Sequence, residues 1–250
     1  MTTKSGIDPA ALAGSRLFGL IASVQPAGGF DEDYMTEKVR QAEDSLERDL
    51  QLFLKTTRII SEPDGTVVKG VDYDVEEPGY DYDADFFTGE KWGWVKLRHH
   101  PVQSVQSMVF AYPNADSRVF TVPTTWIRLD KNFGIVRLVP DKVAVYASFS
   151  AYILSIFSGG RGVPQSVLIN YTAGFQAGEL AANHTDLLEA IKRRALLEIL
   201  ADGFIPQSFS NSADGLSQSI STDLSKLRED DARFVTTYRD HIKGVRMVVV

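Results

Sequence analysis

The chain has 250 residues, of which 44% are hydrophobic and 24% charged, with a formal net charge of −7 and no cysteine. This composition is typical of a globular protein that buries a sizeable core. The absence of cysteine excludes disulfide scaffolds, thiolate zinc sites and cysteine nucleophiles, and the acidic balance disfavours a general nucleic-acid binder.

The first 30 residues predict a flexible N-terminal arm. Glycine and proline recur through this segment, at Pro9, Gly14, Gly19, Pro26, Gly28 and Gly29, which fits an extended or partly ordered arm better than a packed element. The short apolar run 17–24 follows Asp8 and Arg16, so it does not have the form of a signal peptide. No run approaches the roughly 20 apolar residues that a membrane helix needs, and we expect no membrane partner.

A long amphipathic helix is predicted over residues 32–54, with Asp31 as its N-cap. Its apolar positions step by three and four residues: Met35, Val39, Ala42, Leu46, Leu50 and Phe53. Acidic residues open the helix and basic residues follow its end, which suits the helix dipole. This helix begins a predicted helical body that takes in residues 31–60 and 166–243.

The period then changes from helical to alternating, which predicts a β-rich insertion over residues 61–165. Candidate strands are 66–71, 93–97, 105–112, 118–122, 126–130 and 135–139, and residues 143–157 are also interpreted as strands. The best hairpin joins the strands 126–130 and 135–139 through a loop that contains Gly134. We interpret the three tryptophans as anchors of the β core or of subunit contacts: Trp92, Trp94 and Trp126.

A strand, a turn and a helix follow from Ser166. Val167, Leu168, Ile169 and Tyr171 predict a buried strand, and Gly174 supplies a turn with positive φ. The helix 186–200 has an apolar face, and its candidate N-caps are Asn183, Thr185 and Asp186. We expect this helix to pack on the helix 32–54.

A polar connector leads through Asp214 and Gly215 to a last helix, which begins at Ser221 or Thr222 and ends before Gly244. Residues 244–250 then form a tail with four consecutive apolar residues. An exposed apolar tail of this kind favours docking on another surface, and a last strand of the protein's own sheet is the alternative. The candidate docking residues are Arg246, Met247, Val248, Val249 and Val250.

The sharpest charged feature is an acidic run whose oxygen atoms could bind calcium or magnesium. It comprises Asp72, Asp74, Glu76, Glu77, Asp81, Asp83 and Asp85. Because the spacing lacks the glycine of a calcium-binding loop, we interpret the run as a solvated acidic loop, with no metal bound. A metal-dependent hydrolase built on residues 72–85 remains an alternative.

The other candidates for chemistry do not form a recognised catalytic motif. His99 and His100 are adjacent, so in a strand they would face opposite ways, and we interpret them as surface or strand-end residues. The glycine-rich stretch 159–162 lacks the lysine and hydroxyl residue of a phosphate loop. Lys192, Arg193 and Arg194 fit a solvated helix face, with contact to phosphates or an acidic partner as the alternative. We therefore predict no catalytic residue, no cofactor and no enzymatic activity.

The order of these elements resembles the head-to-tail connector (adaptor, or neck) proteins of tailed bacteriophages. The resemblance spans residues 31–243 and rests on the strand INYTAGF at 169–175, the helix 186–200 and the connector with SADGLSQS at 210–221. It implies an α+β fold in which a helical body carries a β-rich insertion. The β-rich insertion of this chain, residues 61–165, is longer than a minimal connector requires.

The resemblance also implies a function. Family members are structural virion proteins that form a ring, usually of twelve copies, beneath the portal, and DNA passes through the channel without sequence-specific binding. The expected partners are the portal ring, the tail or a second neck protein, and other copies of the chain. The expected location is the virion neck, after assembly in the host cytoplasm. Another virion component, such as a tail-completion, terminator or baseplate-type protein, is the alternative.

Overall fold

The computed structural model describes residues 3–9, 12, 31–61, 66–86, 93–111, 118–140, 163–202, 208–213, 216–221 and 224–243. It contains both helices and sheets, which confirms the predicted α+β class. The chain forms two compact units, here called the helical unit (Met1–Leu50 with Gln176–Val250) and the β unit (Gln51–Phe175). The strand that follows Ser166 therefore belongs to the β unit.

The described part of the helical unit contains the helices α1 (Glu32–Leu50), α2 (Glu179–Asn183), α3 (Thr185–Ala201) and α4 (Leu224–Lys243). Helix α1 is shorter than the prediction, which extended it to residue 54. It ends because Gln51 adopts a left-handed conformation with φ of 55°, and such a residue interrupts helical hydrogen bonding. The short helix α2 was not predicted.

Helix α3 is the centre of the helical unit. It buries more than one face, and its buried residues are Leu187, Ala190, Ile191, Arg194, Ala195, Leu196, Ile199 and Leu200. Both α1 and α4 pack against it, which confirms the predicted packing of α3 on α1. The predicted N-caps are wrong, because His184 occupies that position and no side chain makes a capping hydrogen bond.

A two-stranded antiparallel sheet lies between α3 and α4 in the chain. It consists of β10 (Ser208–Ala213) and β11 (Leu216–Ser221), where the sequence predicted only a polar connector. The register pairs Phe209 with Ile220 and Ser210 with Ser219. The stretch is rich in serine and poor in β-branched residues, so local strand preference was weak. The predicted turn at Asp214 and Gly215 lies outside the described residues.

The larger sheet of the β unit has the strand order β2-β1-β9-β5-β6, and β3 also pairs with β9. These strands are β1 (Thr57–Ser61), β2 (Val75–Glu77), β3 (Tyr80–Tyr82), β5 (Val102–Ala111), β6 (Arg118–Thr121) and β9 (Val163–Ala173). Strand β9 pairs with three others and holds the sheet together. Its inward residues are fully buried: Val167, Ile169, Tyr171 and Ala173.

A second sheet has the order β4-β8-β7, with β4 (Val95–Lys96), β7 (Ile127–Asp130) and β8 (Ile135–Leu138). The predicted hairpin of β7 and β8 is confirmed. Residues 66–71 do not form the predicted strand, and this segment makes only an isolated bridge from Lys69 to Tyr73. The strands predicted at 143–157 lie outside the described residues.

Gly174 is required at the end of β9. Its φ of +100° belongs to the region that other residues rarely adopt, and a Cβ atom there would lie 2.1 Å from the carbonyl oxygen of Lys55. The predicted positive-φ turn is therefore confirmed. The close approach to Lys55 is a tertiary contact that the sequence did not indicate.

We expect Leu196→Ala to lower the free energy of unfolding by about 2–5 kcal/mol, because it opens a cavity in a packed core. Leu196 is 1% exposed, whereas its neighbour Leu197 is only half-buried. Leu197→Ala is therefore the matched control and should cost clearly less. Urea unfolding of both variants measures the difference, and equal losses would contradict the central position of Leu196.

Candidate functional site

The predicted docking residues Arg246, Met247, Val248, Val249 and Val250 lie outside the described residues. The same is true of the glycine-rich stretch 159–162 and of Trp92. The structure does describe the helix that precedes the tail, because α4 extends to Lys243. The way in which α4 is held therefore determines where the tail begins.

Arg194 joins the three long helices of the helical unit. Its Nε lies 3.0 Å from Oδ2 of Asp231 on α4, and its Nη2 lies 2.7 Å from Oδ2 of Asp49 on α1. Its Nη1 donates to Oγ of Ser45, also on α1, at 3.0 Å. The arginine is 8% exposed, so its predicted place on a solvated helix face is wrong.

The partners of Arg194 stabilise the positive charge of its guanidinium. Burial by itself would lower the pKa of the guanidinium, but hydrogen bonds with Asp231 and Asp49 and their negative charges raise it overall. A planar guanidinium has enough donors to bond several acceptors at once. Three adjacent basic residues in a sequence do not show which of them faces inward. In the structure, Arg194 is the one that lies on the buried side of α3.

A second contact fixes α4 on α1. The Arg239 side chain donates from Nε and Nη2 to the carbonyl oxygen of Asp49, at 3.2 and 2.7 Å. The rings of Phe234 and Tyr238 stack at 5.3 Å, and the Tyr238 hydroxyl lies 3.4 Å from Nδ1 of His184. Helix α4 is thus attached to α1, α3 and His184 through its middle turns, from Asp231 to Arg239.

The acidic run of the β unit does not form one loop. Most of its carboxylates are exposed and accept hydrogen bonds from nearby backbone: Asp74 from the Arg58 amide at 2.8 Å, and Asp81 from the Gln165 amide at 3.0 Å. The hydrogen bonds from Arg58 are the main reason why the pKa of Asp74 is lowered. Glu77 differs, since it is 5% exposed, and its prediction as a solvated residue is wrong.

Glu77 is the centre of a buried cluster in the β unit. Its Oε1 accepts from the Tyr80 hydroxyl at 2.7 Å, and its Oε2 accepts from the Tyr171 hydroxyl at 3.2 Å. Nη1 of Arg98 and Nε2 of His99 lie 3.6 and 3.7 Å from its oxygens. Burial raises the pKa of Glu77, although the tyrosine hydrogen bonds and Arg98 act in the opposite direction.

Sequence reasoning missed Glu77 because its partners are distant in the chain. Tyr171 comes from β9, which pairs with the strand of Tyr80, and Arg98 follows β4 of the second sheet, so only the tertiary structure brings both to the carboxylate. The one local signal was the alternation of Tyr80 and Tyr82, which are both buried. That alternation indicates a strand beside the acidic residues, but it does not indicate which acid turns inward.

Of the two adjacent histidines, His100 lies in the interior of the β unit and His99 is half-buried. His100 is 3% exposed, and the ring of His99 packs against Phe53 with centroids 4.6 Å apart. Burial, followed by the charge of Arg98, lowers the pKa of His99. Of the two predicted alternatives, a surface or a strand-end position, the strand-end position fits both histidines, because they lie between β4 and β5; a surface position does not fit His100. The tryptophan prediction fits Trp126, which is 4% exposed in the β core.

Within the described ranges, no three His, Asp or Glu side chains are arranged to hold a metal ion. None of the helices in those ranges is long and apolar enough to cross a membrane. The half-buried and buried charged side chains described above, Arg194 and Glu77 with their partners, hold helices or strands to one another.

No protein-family model matches the chain, and no curated protein matches it. Among solved structures, it is similar to a chain in the virion of a native gene transfer agent (GTA) particle, with 14% identity, a TM-score of 0.42, and coverage of 96% of this chain and 94% of that chain. It is also similar to a chain in the neck of an empty GTA particle computed with C6 symmetry, with 15% identity, a TM-score of 0.39, and coverage of 88% and 90%. TM-scores below 0.5 do not establish a shared fold, so the function is argued from the residues of this chain.

We expect Arg194→Ala to lower the free energy of unfolding by about 1.5–3 kcal/mol, because it removes charge-assisted hydrogen bonds and leaves Asp231, whose side chain is 14% exposed, without its cation. The control is Arg233→Ala on α4, whose ion pair with Glu229 is about 70% exposed on both sides and should contribute at most about 1 kcal/mol. Urea unfolding compares the two. Similar small losses would contradict the central role of Arg194.

We expect the stability that Glu77 contributes to fall as the pH rises. The raised pKa means that the folded state favours the protonated acid, so the contribution is complete below the ordinary pKa of 4.5 and is lost as the pH passes the folded-state value. Wild-type protein should therefore lose stability relative to Glu77→Gln as the pH rises above 4.5.

The matched control for this pH dependence is Glu76→Gln, which removes the exposed carboxylate on the same strand. Denaturant unfolding of all three proteins across the pH range measures the differences. If the stability of wild type relative to Glu77→Gln stays constant or increases as the pH rises, Glu77 is ionised in the fold without cost.

Proposed function

We propose that the chain is a structural virion protein, namely a ring subunit of a head-to-tail connector that joins the portal to the tail. The observation that carries this proposal is the attachment of α4. Asp231 and Arg239 bind this helix to Arg194 and to α1, and α4 continues to Lys243, directly before the apolar tail. A tail that leaves a fixed helix is well placed to dock on a partner.

The order of the elements supports the proposal. A helix is followed by a β-rich region, then by the strand Val163–Ala173, a helix, a polar connector and a last helix, which is the order on which the resemblance to connector proteins rests. The connector contains the hairpin of β10 and β11, so the stretch 210–221 has a regular structure of its own.

The charge of the chain suits a channel that passes DNA. Lysine and arginine contacts to phosphates dominate nucleic-acid affinity, and a chain with a net charge of −7 has little surplus cation to hold a passing duplex. We propose a ring of twelve copies that binds the portal on one side and the tail or a second neck protein on the other, without enzymatic activity. In this arrangement residues 246–250 contact the portal.

The test is to mix the purified protein with the portal ring of the same virus and to measure the mass of the product. A portal ring that acquires one layer of about twelve subunits supports the proposal, and electron microscopy would locate the layer. A protein that never joins the portal but binds the end of a tail tube would instead be a tail-completion protein.

We expect the triple substitution Val248→Ser, Val249→Ser and Val250→Ser to weaken portal binding while unfolding stays within about 0.5 kcal/mol of wild type. Portal co-sedimentation and urea unfolding measure the two effects. Leu196→Ala is the control for a true core loss. If the tail variant loses as much stability as Leu196→Ala, the tail is part of the chain's own core and does not dock.

A further inference from the structure

Residues 3–9 of the predicted flexible arm are attached to α1 in the structure. The carboxylate of Glu43 accepts the backbone amides of Lys4 and Ser5, at 3.1 and 2.8 Å, and the Ser5 hydroxyl at 2.5 Å. Glu43 itself is 0% exposed. A buried carboxylate is tolerated when donors satisfy it, and three of the donors to Glu43 come from the arm.

Two further carboxylates of α1 bind the same arm. Nζ of Lys4 lies 2.7 Å from Oδ1 of Asp44 and 2.7 Å from Oε2 of Glu47. Burial acts to lower the pKa of Lys4, but its hydrogen bonds with both acids raise it overall. We call Glu43, Asp44 and Glu47 the acidic clasp. Without a cation and amide donors, like charges three and four residues apart on a helix repel each other, so the clasp requires an occupant.

The arm segment also has hydrogen bonds of its own, which would move with it. The Thr3 hydroxyl donates to the carbonyl oxygen of Ile7 at 2.8 Å, and the Ser5 hydroxyl accepts from the Ile7 amide at 3.4 Å. The contacts that the arm makes to the clasp are polar, whereas Leu12, at the end of the arm, is 2% exposed and would have to be buried again in the neighbouring copy. Such a segment can exchange between copies without a new interface.

The length of chain behind the arm allows this exchange. Residues 13–30 connect Leu12 to Asp31, and at about 3.3–3.6 Å per residue they can span up to roughly 60 Å. Helix α1, with 19 residues, is only about 28 Å long. The extended connection is thus about twice as long as α1, so it does not confine the arm to its own helix.

We propose that in the assembled protein the acidic clasp of each copy binds Lys4 and Ser5 of a neighbouring copy. The partner copy then contributes the donors that satisfy Glu43, and arm exchange links successive subunits. This inference rests on the self-association in the proposed function, but it does not depend on the portal or the tail.

Charge-reversal variants distinguish an arm that binds the clasp of a neighbouring copy from an arm that binds the clasp of its own chain. One variant carries Lys4→Glu and a second carries Asp44→Lys with Glu47→Lys, so that in each chain the arm and the clasp repel. In the mixture, the arm of either variant matches the clasp of the other. We expect the mixture to associate at a concentration about tenfold lower than either variant alone, which corresponds to about 1.4 kcal/mol, as measured by analytical ultracentrifugation.

A mixture that associates no better than its components would overturn the proposal, provided that a chain with all three substitutions unfolds like wild type. If that chain does not fold, cross-linking replaces the test. Because the chain has no cysteine, Lys4→Cys and Glu47→Cys can be placed in separate copies and joined by a short bismaleimide.

The matched control for cross-linking is Lys4→Cys mixed with Arg48→Cys, which lies beside Glu47 on the exposed side of α1. An excess of covalent dimer in the Glu47→Cys mixture supports exchange, and equal yields overturn it. The portal is absent from all of these association and cross-linking experiments. A failure of exchange is therefore distinguishable from a failure of portal binding by the wild-type chain.

Discussion

The helical unit depends on the contact of Arg194 with Asp49 and Asp231. One guanidinium on the central helix α3 bonds an acid on each of the two helices that pack beside it. Apolar burial along α1 and α3 supplies the association of these helices, but it is largely non-directional. The ion pairs fix which turn of α4 lies against which turn of α1. The position of α4 therefore depends on charged groups.

The β unit has a different centre, which is strand β9. It pairs with β1, β3 and β5, and it places Tyr171 against Glu77. The cost of a buried carboxylate is offset there by hydroxyl donors from two strands and by the nearby charge of Arg98. Because β2, β3 and β9 all contribute to this cluster, it ties the short edge segments to the middle of the sheet.

Each unit thus contains a buried carboxylate that accepts hydrogen bonds from its own chain: Glu77 in the β unit and Glu43 in the helical unit. The two differ in whether their hydrogen-bond donors can move away without breaking the fold. The donors to Glu77 lie on strands of the sheet and cannot leave without breaking it. The donors to Glu43 lie in an arm that precedes α1 and bonds it through polar contacts. A carboxylate of the first kind stabilises a fold, whereas one of the second kind can join two subunits. This contrast is the physical basis for the proposed arm exchange.

The sequence by itself determined the elements whose pattern is local. The apolar period of α1 and α3, the hairpin of β7 and β8, and the positive φ of Gly174 all follow from neighbouring residues, and the α+β class follows from their order. It misassigned Arg194 and Glu77, because each is a charged residue whose burial depends on partners from other helices or strands. The sequence shows a charge or a ring, but only the tertiary structure decides whether solvent or a partner from another helix or strand satisfies it.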